Sequence, residues 1–155
     1  MNKVIDSLIH FLKANEIPFD LHTEPSLLRI GMNVENITWQ AFAQENHDNR
    51  FVMVSKVPAV LKKHQHGRCA ELVTRINHKL GFGHFEMDYN ADLLGFRTVI
   101  PRESDQLLGH ELIRKAFDAH SKAVAGFLPT FSAVLECGNA PVAALQDSFG
   151  SVDWS

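Results

Sequence analysis

Between Arg68 and Ile100 the apolar period changes from 3.6 to 2 within a few residues, and this change constrains the fold more than any other feature of the chain. Cys69, Leu72, Val73, Ile76 and Leu80 recur at helical spacing, while Glu71, Thr74, Arg75, Asn77, His78 and Lys79 fall largely on the other side. Gly81 stands where a left-handed residue ends a helix with least strain. From there Gly83, Phe85, Met87 and Tyr89 take one face of a strand, and His84, Glu86 and Asp88 take the other. Asn90, Ala91 and Asp92 supply a turn, and Leu94, Phe96, Thr98 and Ile100 share one face of the return strand. Pro101 closes that strand because it has no amide hydrogen to donate. A helix delivered into a hairpin leaves an apolar face that the rest of the chain must cover.

The flanking segments supply the cover. Asn2 is placed to cap a helix striped by Val4, Ile5, Leu8, Ile9 and Leu12, ending near Asn15 ahead of Pro18. Phe19 to His22 and Leu27 to Ile30 read as short strands. Next, Ile37, Trp39, Ala41 and Ala43 alternate with Thr38, Gln40, Phe42 and Gln44. Glu45 to Asn49 is a turn, and Arg50 to Val57 sets Phe51, Met53 and Ser55 against Val52, Val54 and Lys56. The connections within Leu27 to Val57 are too short for crossover helices, so this part is an antiparallel meander. Residues 59–67 stay open between helix, separate turn and loop. After Pro101, Ser104 or Asp105 caps a long helix through Leu108, Leu112, Ala116, Phe117, Ala119, Ala123, Val124 and Phe127, kinked at Pro129 and stopped by Gly138. The expected fold is α+β, an antiparallel sheet packed against helices. It forms a single domain over 1–155, with 139–155 a partly ordered C-terminal extension containing one helical turn near Val142 to Leu145.

Composition narrows the function. A chain of 155 residues with 45% hydrophobic and 21% charged residues folds as a globular domain. A formal charge of -3 provides no broad basic field, which argues against nucleic acid as a partner. Asp6, His10 and Lys13 interrupt the first apolar run, and no later run nears the roughly 20 residues that span a bilayer, so a cytoplasmic protein without membrane contact is expected. Cys69 and Cys137 both lie in apolar helical patterns and read as buried free thiols.

The element order, Arg75-Ile76-Asn77, the strand start Phe85-x-Met87-Asp88, Gly95-Phe96-Arg97, and Pro129 followed by Gly138-Asn139-Ala140-Pro141 together resemble one known family. It is the YbjN-like family of putative bacterial sensory transduction regulators, whose members look like type III secretion chaperones in fold. The resemblance covers nearly the whole chain and matches Asn77, Phe85, Asp88, Gly95, Pro129, Gly138 and Ala140. It implies a non-enzymatic protein-binding or regulatory module, a homodimer with no cofactor, and it carries over no catalytic residue. Secretion chaperones are usually more acidic than this chain, which weighs against a direct secretion role.

Three groups of side chains compete as sites. Trp39, Phe42, Phe51 and Met53 lie in the meander, and any of them left uncovered would form an interface for a second copy or a peptide; Trp39 and Phe51 also suit ordinary core. His84, Glu86 and Asp88 share a strand face with Arg97 nearby, the alternative reading being a small hydrolase-like enzyme, against a plain charged sheet surface. No activated nucleophile or oxyanion turn accompanies them, and the enzyme reading is the weaker. His64, His66 and Cys69 have poor spacing for zinc and lack a fourth ligand, so with Lys62 and Lys63 they read as a solvated linker with no metal. A purely structural assembly protein is the third functional class.

Overall fold

The structure, a computed structural model, describes residues 3–23, 26–46, 50–101 and 109–149. Four helices and six strands follow one another as α1 (Lys3–Ala14), β1 (Phe19–Thr23), β2 (Ser26–Val34), β3 (Ile37–Glu45), β4 (Arg50–Lys56), α2 (His66–Asn77), β5 (His84–Asp88), β6 (Leu93–Pro101), α3 (His110–Leu135) and α4 (Pro141–Phe149). All strand pairs are antiparallel, in the order β1-β2-β3-β4-β6-β5. The chain is therefore an α+β protein, with the expected meander and hairpin joined into one sheet.

Local chemistry explains the boundaries. At the end of α1, Ile17 donates to the Leu12 carbonyl and Glu16 to that of Lys13, with Glu16 itself at φ 56° in the place glycine usually takes. Glu35 and Asn36, at φ 47° and 70°, form the two-residue link between Val34 and Ile37, and their positive φ values match the right-handed twist of the flanking strands. The segment at 59–67 resolves into extended chain, a 3-10 turn at Lys63–Gln65 and the first residues of α2.

Four expectations need correction. The helix of the central unit ends at Asn77, earlier than Gly81, and the left-handed glycine is Gly83 at φ 70°. A Cβ on Gly83 would lie 2.6 Å from the Phe96 ring, so this position excludes any side chain. Cys137 is exposed just past α3, beyond the helical pattern that seemed to bury it, whereas Cys69 is buried and its thiol is pushed up to about 11 by desolvation. The helical turn near Val142 is a nine-residue helix, opened by Pro141 in its first turn. α3 begins at His110, and the proposed caps Ser104 and Asp105 lie outside the described residues, as do Asn2 and Leu108. α3 remains one helix across the exposed Pro129 as far as Leu135.

The core lies on one side of the sheet, where α1, α2 and α3 pack on it. Phe85 is its aromatic hub, with ring centroids 4.7 Å from Phe96, 5.0 Å from Phe131 and 5.7 Å from Phe127. Asn77 holds this hub to α2. Its amide nitrogen donates to the Phe85 carbonyl at 2.9 Å, and its oxygen accepts the Phe85 amide at 2.8 Å. These backbone groups point off the edge of the sheet, so one side chain both ties the end of α2 to β5 and blunts β5 as an open edge.

Candidate interaction surface

The four meander residues separate when the strands are assembled. Trp39, Phe51 and Met53 are buried in the core beneath the helices, while Phe42 is half-buried on the opposite face. Among the described residues no helix lies on that opposite face. Across its middle runs a row to which all six strands contribute one residue: Asp20, Arg29, Phe42, Val54, Arg97 and His84. Beside it lie Gln44, Val52 and Val99 on one side and Lys56, Gly95 and Glu86 on the other. Val99 and Leu93 are exposed large hydrophobics on this surface, whereas Val52, on the inner strand β4, is only 5% exposed.

Charge is confined to the two ends of the row. Asp20 accepts a hydrogen bond from Arg29, which holds its carboxyl below the usual range. At the other end Arg97 grips Glu86 with two hydrogen bonds of 2.9 Å, from Nε and Nη2, and this pairing lowers the Glu86 pKa. The apolar centre at Phe42 and Val54 is thus flanked by arginines that already have partners. Phe42, Val54, Lys56, Glu86 and Leu93 border a groove of about 640 Å³ on this face, where Gly95 contributes no side chain.

The same geometry weakens the hydrolase reading. Both Glu86 oxygens are engaged by Arg97, and the depressed pKa makes Glu86 a poor base near neutrality. His84 lies 3.5 Å from Glu86 on an open surface, with about half of its side chain exposed. Asp88 accepts the backbone amides of Asn90 and Ala91 at 3.0 Å, so it folds the hairpin turn. The linker group also disperses. His66 pairs with Asp92 at 2.8 Å and stacks on Tyr89, His64 is exposed, and Cys69 faces the core. Among the described residues no three His, Cys, Asp or Glu side chains are grouped to hold a metal ion, and no helix is long and apolar enough to cross a membrane.

One polar constellation was missed from sequence. His120, fully buried in α3, places Nε2 at 2.6 Å from Ser55 Oγ and Nδ1 at 3.1 Å from Thr98 Oγ1, and Trp39 Nε1 donates to Ser55 Oγ at 2.8 Å. Trp39 N–H donates to Ser55, and the neutral ring donates through one nitrogen and accepts through the other. Burial pushes the His120 pKa down to about 3, which keeps the ring neutral. A serine and a histidine in contact suggest a nucleophile, but Ser55 has no exposed surface through which to meet a substrate. The group ties β3, β4 and β6 to α3. Ser55 and Thr98 gave a sequence signal, as hydroxyls at inward positions of β4 and β6; the pairing of Ser55 with a helix residue 65 positions away gave none.

Known proteins supply the remaining comparison. Neither the curated proteins nor the solved structures include a significant match to the chain. A family model does match, over residues 5–133, from α1 through nearly all of α3 and including the whole sheet. The match contains the Asn77 clamp, the Phe85 hub and the uncovered face, and by it the chain belongs to the YbjN family, described as "putative bacterial sensory transduction regulator".

Proposed function

We propose that this protein is a non-enzymatic regulator that works as a homodimer, with the uncovered face of the sheet seated on the same face of a second copy. The observation that carries the reading is the row Asp20, Arg29, Phe42, Val54, Arg97 and His84, apolar at its centre and internally paired in charge at its ends. Burying such a centre is favourable, and Arg29 and Arg97 enter the seam with their charges already paired. The family description supports regulation as the role, and the sealed Ser55–His120 pair and the engaged Glu86 support the absence of catalysis. The family's likeness to dimeric type III secretion chaperones is part of this proposal. A peptide partner would reach the sheet by strand addition at β1, since Asn77 occupies the outward groups of Phe85 on the other edge.

Methyl NMR with a soluble paramagnetic reagent tests the seam. The Val54 and Val99 methyls are expected to be shielded from the reagent, while the Val142 methyls on α4 stay accessible throughout. Val54 and Val99 methyls attacked at every protein concentration would reject the dimer.

A further inference from the structure

A second surface, on the helical side of the sheet, has a different chemistry. An open cleft of about 490 Å³ lies between the end of α2 and α4, lined by Arg75 on α2, by His78 and Lys79 just beyond it, and by Val142, Leu145 and Gln146 on α4. α4 lies beyond the residues matched by the family model, so one wall of the cleft falls outside that match.

The wall is held in place from below. Gln65 Nε2 donates to the Leu135 carbonyl at 2.6 Å and Arg68 Nη1 to that of Gly138 at 3.3 Å, which ties the start of α2 to the end of α3 and the link into α4. Gly138 takes φ 73°, and the amide of Asn139 returns to the Ala133 carbonyl at 2.9 Å, fixing the direction in which the chain enters α4. Ala144 and Leu145 then bury against the core. The cleft is consequently preformed, a condition for binding without a large ordering cost.

Its two walls ask for different things of a ligand. The α4 wall is hydrocarbon, and Val142 remains 44% exposed although it is a large aliphatic residue. The α2 wall bears the fixed positive charges of Arg75 and Lys79, together with His78. Glu71, one turn back, pairs with Arg75, its Oε2 lying 3.6 Å from Nε. A volume within the roughly 300–1,000 Å³ of small-molecule sites favours a compact ligand over a protein surface.

We propose that this cleft binds a small amphipathic carboxylate, its hydrocarbon part against Val142 and Leu145 and its carboxylate held by Arg75. The site stands apart from the dimer seam, and the proposal does not depend on it. The test is an amide NMR titration of the full chain with octanoate, with octan-1-ol as the uncharged counterpart, repeated on Arg75→Gln. Octanoate is expected to shift signals concentrated in 74–79 and 142–146, and octanol to bind about tenfold more weakly. Arg75→Gln, at an exposed position and with circular dichroism confirming its fold, should weaken octanoate binding about tenfold and leave octanol unchanged. Octanol binding as well as octanoate, indifference to Arg75→Gln, or octanoate shifts absent from these two segments would each overturn the proposal.

Discussion

On β4, Phe51, Met53 and Ser55 point under the helices, while Val52, Val54 and Lys56 point away from them. Consecutive residues of one strand therefore sample two environments. Beneath the helices the sheet is close-packed: aromatic rings interlock around Phe85, and the polar atoms of Trp39, Ser55, His120 and Thr98 satisfy one another. On the other face an apolar centre is left without a helix, bordered by ion pairs. The difference teaches that β4 is apolar at both parities because both of its faces have apolar neighbours. One face meets them within the chain, and the other meets them, by our proposal, in a second copy.

The comparison can be broken most readily on the covered side. Phe96→Ala removes a fully buried ring from the aromatic cluster and should cost about 3–5 kcal/mol in urea unfolding; a loss comparable to that at an exposed position would mean the cluster is not the core. Asn77→Ala leaves the Phe85 amide and carbonyl without their partner and should cost about 1–3 kcal/mol, with faster amide exchange along β5. Unchanged exchange there would remove Asn77 from its role at the edge.

The pH dependence sharpens the same contrast. His120 has a folded pKa near 3 against an unfolded value near 6.5, so between these the unfolded chain binds more protons and the native state loses stability as pH falls. The slope contributed by this group is about 1.4 kcal/mol per pH unit over that window, and no loss from it occurs above the unfolded pKa. His120→Leu should abolish that slope while lowering stability near neutrality, since Ser55 and Thr98 lose their ring partner; a variant as acid-sensitive as the parent would place the titration elsewhere. On the uncovered face, Val54→Thr preserves β-branching and should change unfolding stability of the monomer by less than about 1 kcal/mol while weakening self-association. Equal association before and after that substitution would separate Val54 from the seam.

Much of this architecture was legible in the residues, and the reasons are physical. Period 2 in Leu94, Phe96, Thr98 and Ile100 places them together because a strand has no other way to turn its side chains, and all four are buried on the core side. The boundaries were less legible. Gly81 reads as the helix stop because glycine is the usual residue there, whereas α2 ends at Asn77, whose side chain bonds a strand that no local pattern announces. The candidate interface was readable only in part. Phe42 was picked out as aromatic, but Val52, Val54 and Val99 carry no side-chain chemistry that singles them out until the register sets them side by side. One clue was available in Phe51-Val52-Met53-Val54, a run apolar at both parities, which marks a strand with apolar surroundings on both faces. His120 was hidden for a different reason: a histidine on a helix reads as solvated, and its partners are supplied by two distant strands.

The most direct test of the central claim is mass by light scattering over a dilution series, comparing the parent chain with Val54→Lys. The account predicts a parent mass near twice 17.4 kDa that persists well into dilution, and a variant near the single-chain mass, because the new ammonium has no carboxylate partner in the seam. A parent that is monomeric at every concentration, or a Val54→Lys variant that keeps the doubled mass, would contradict it.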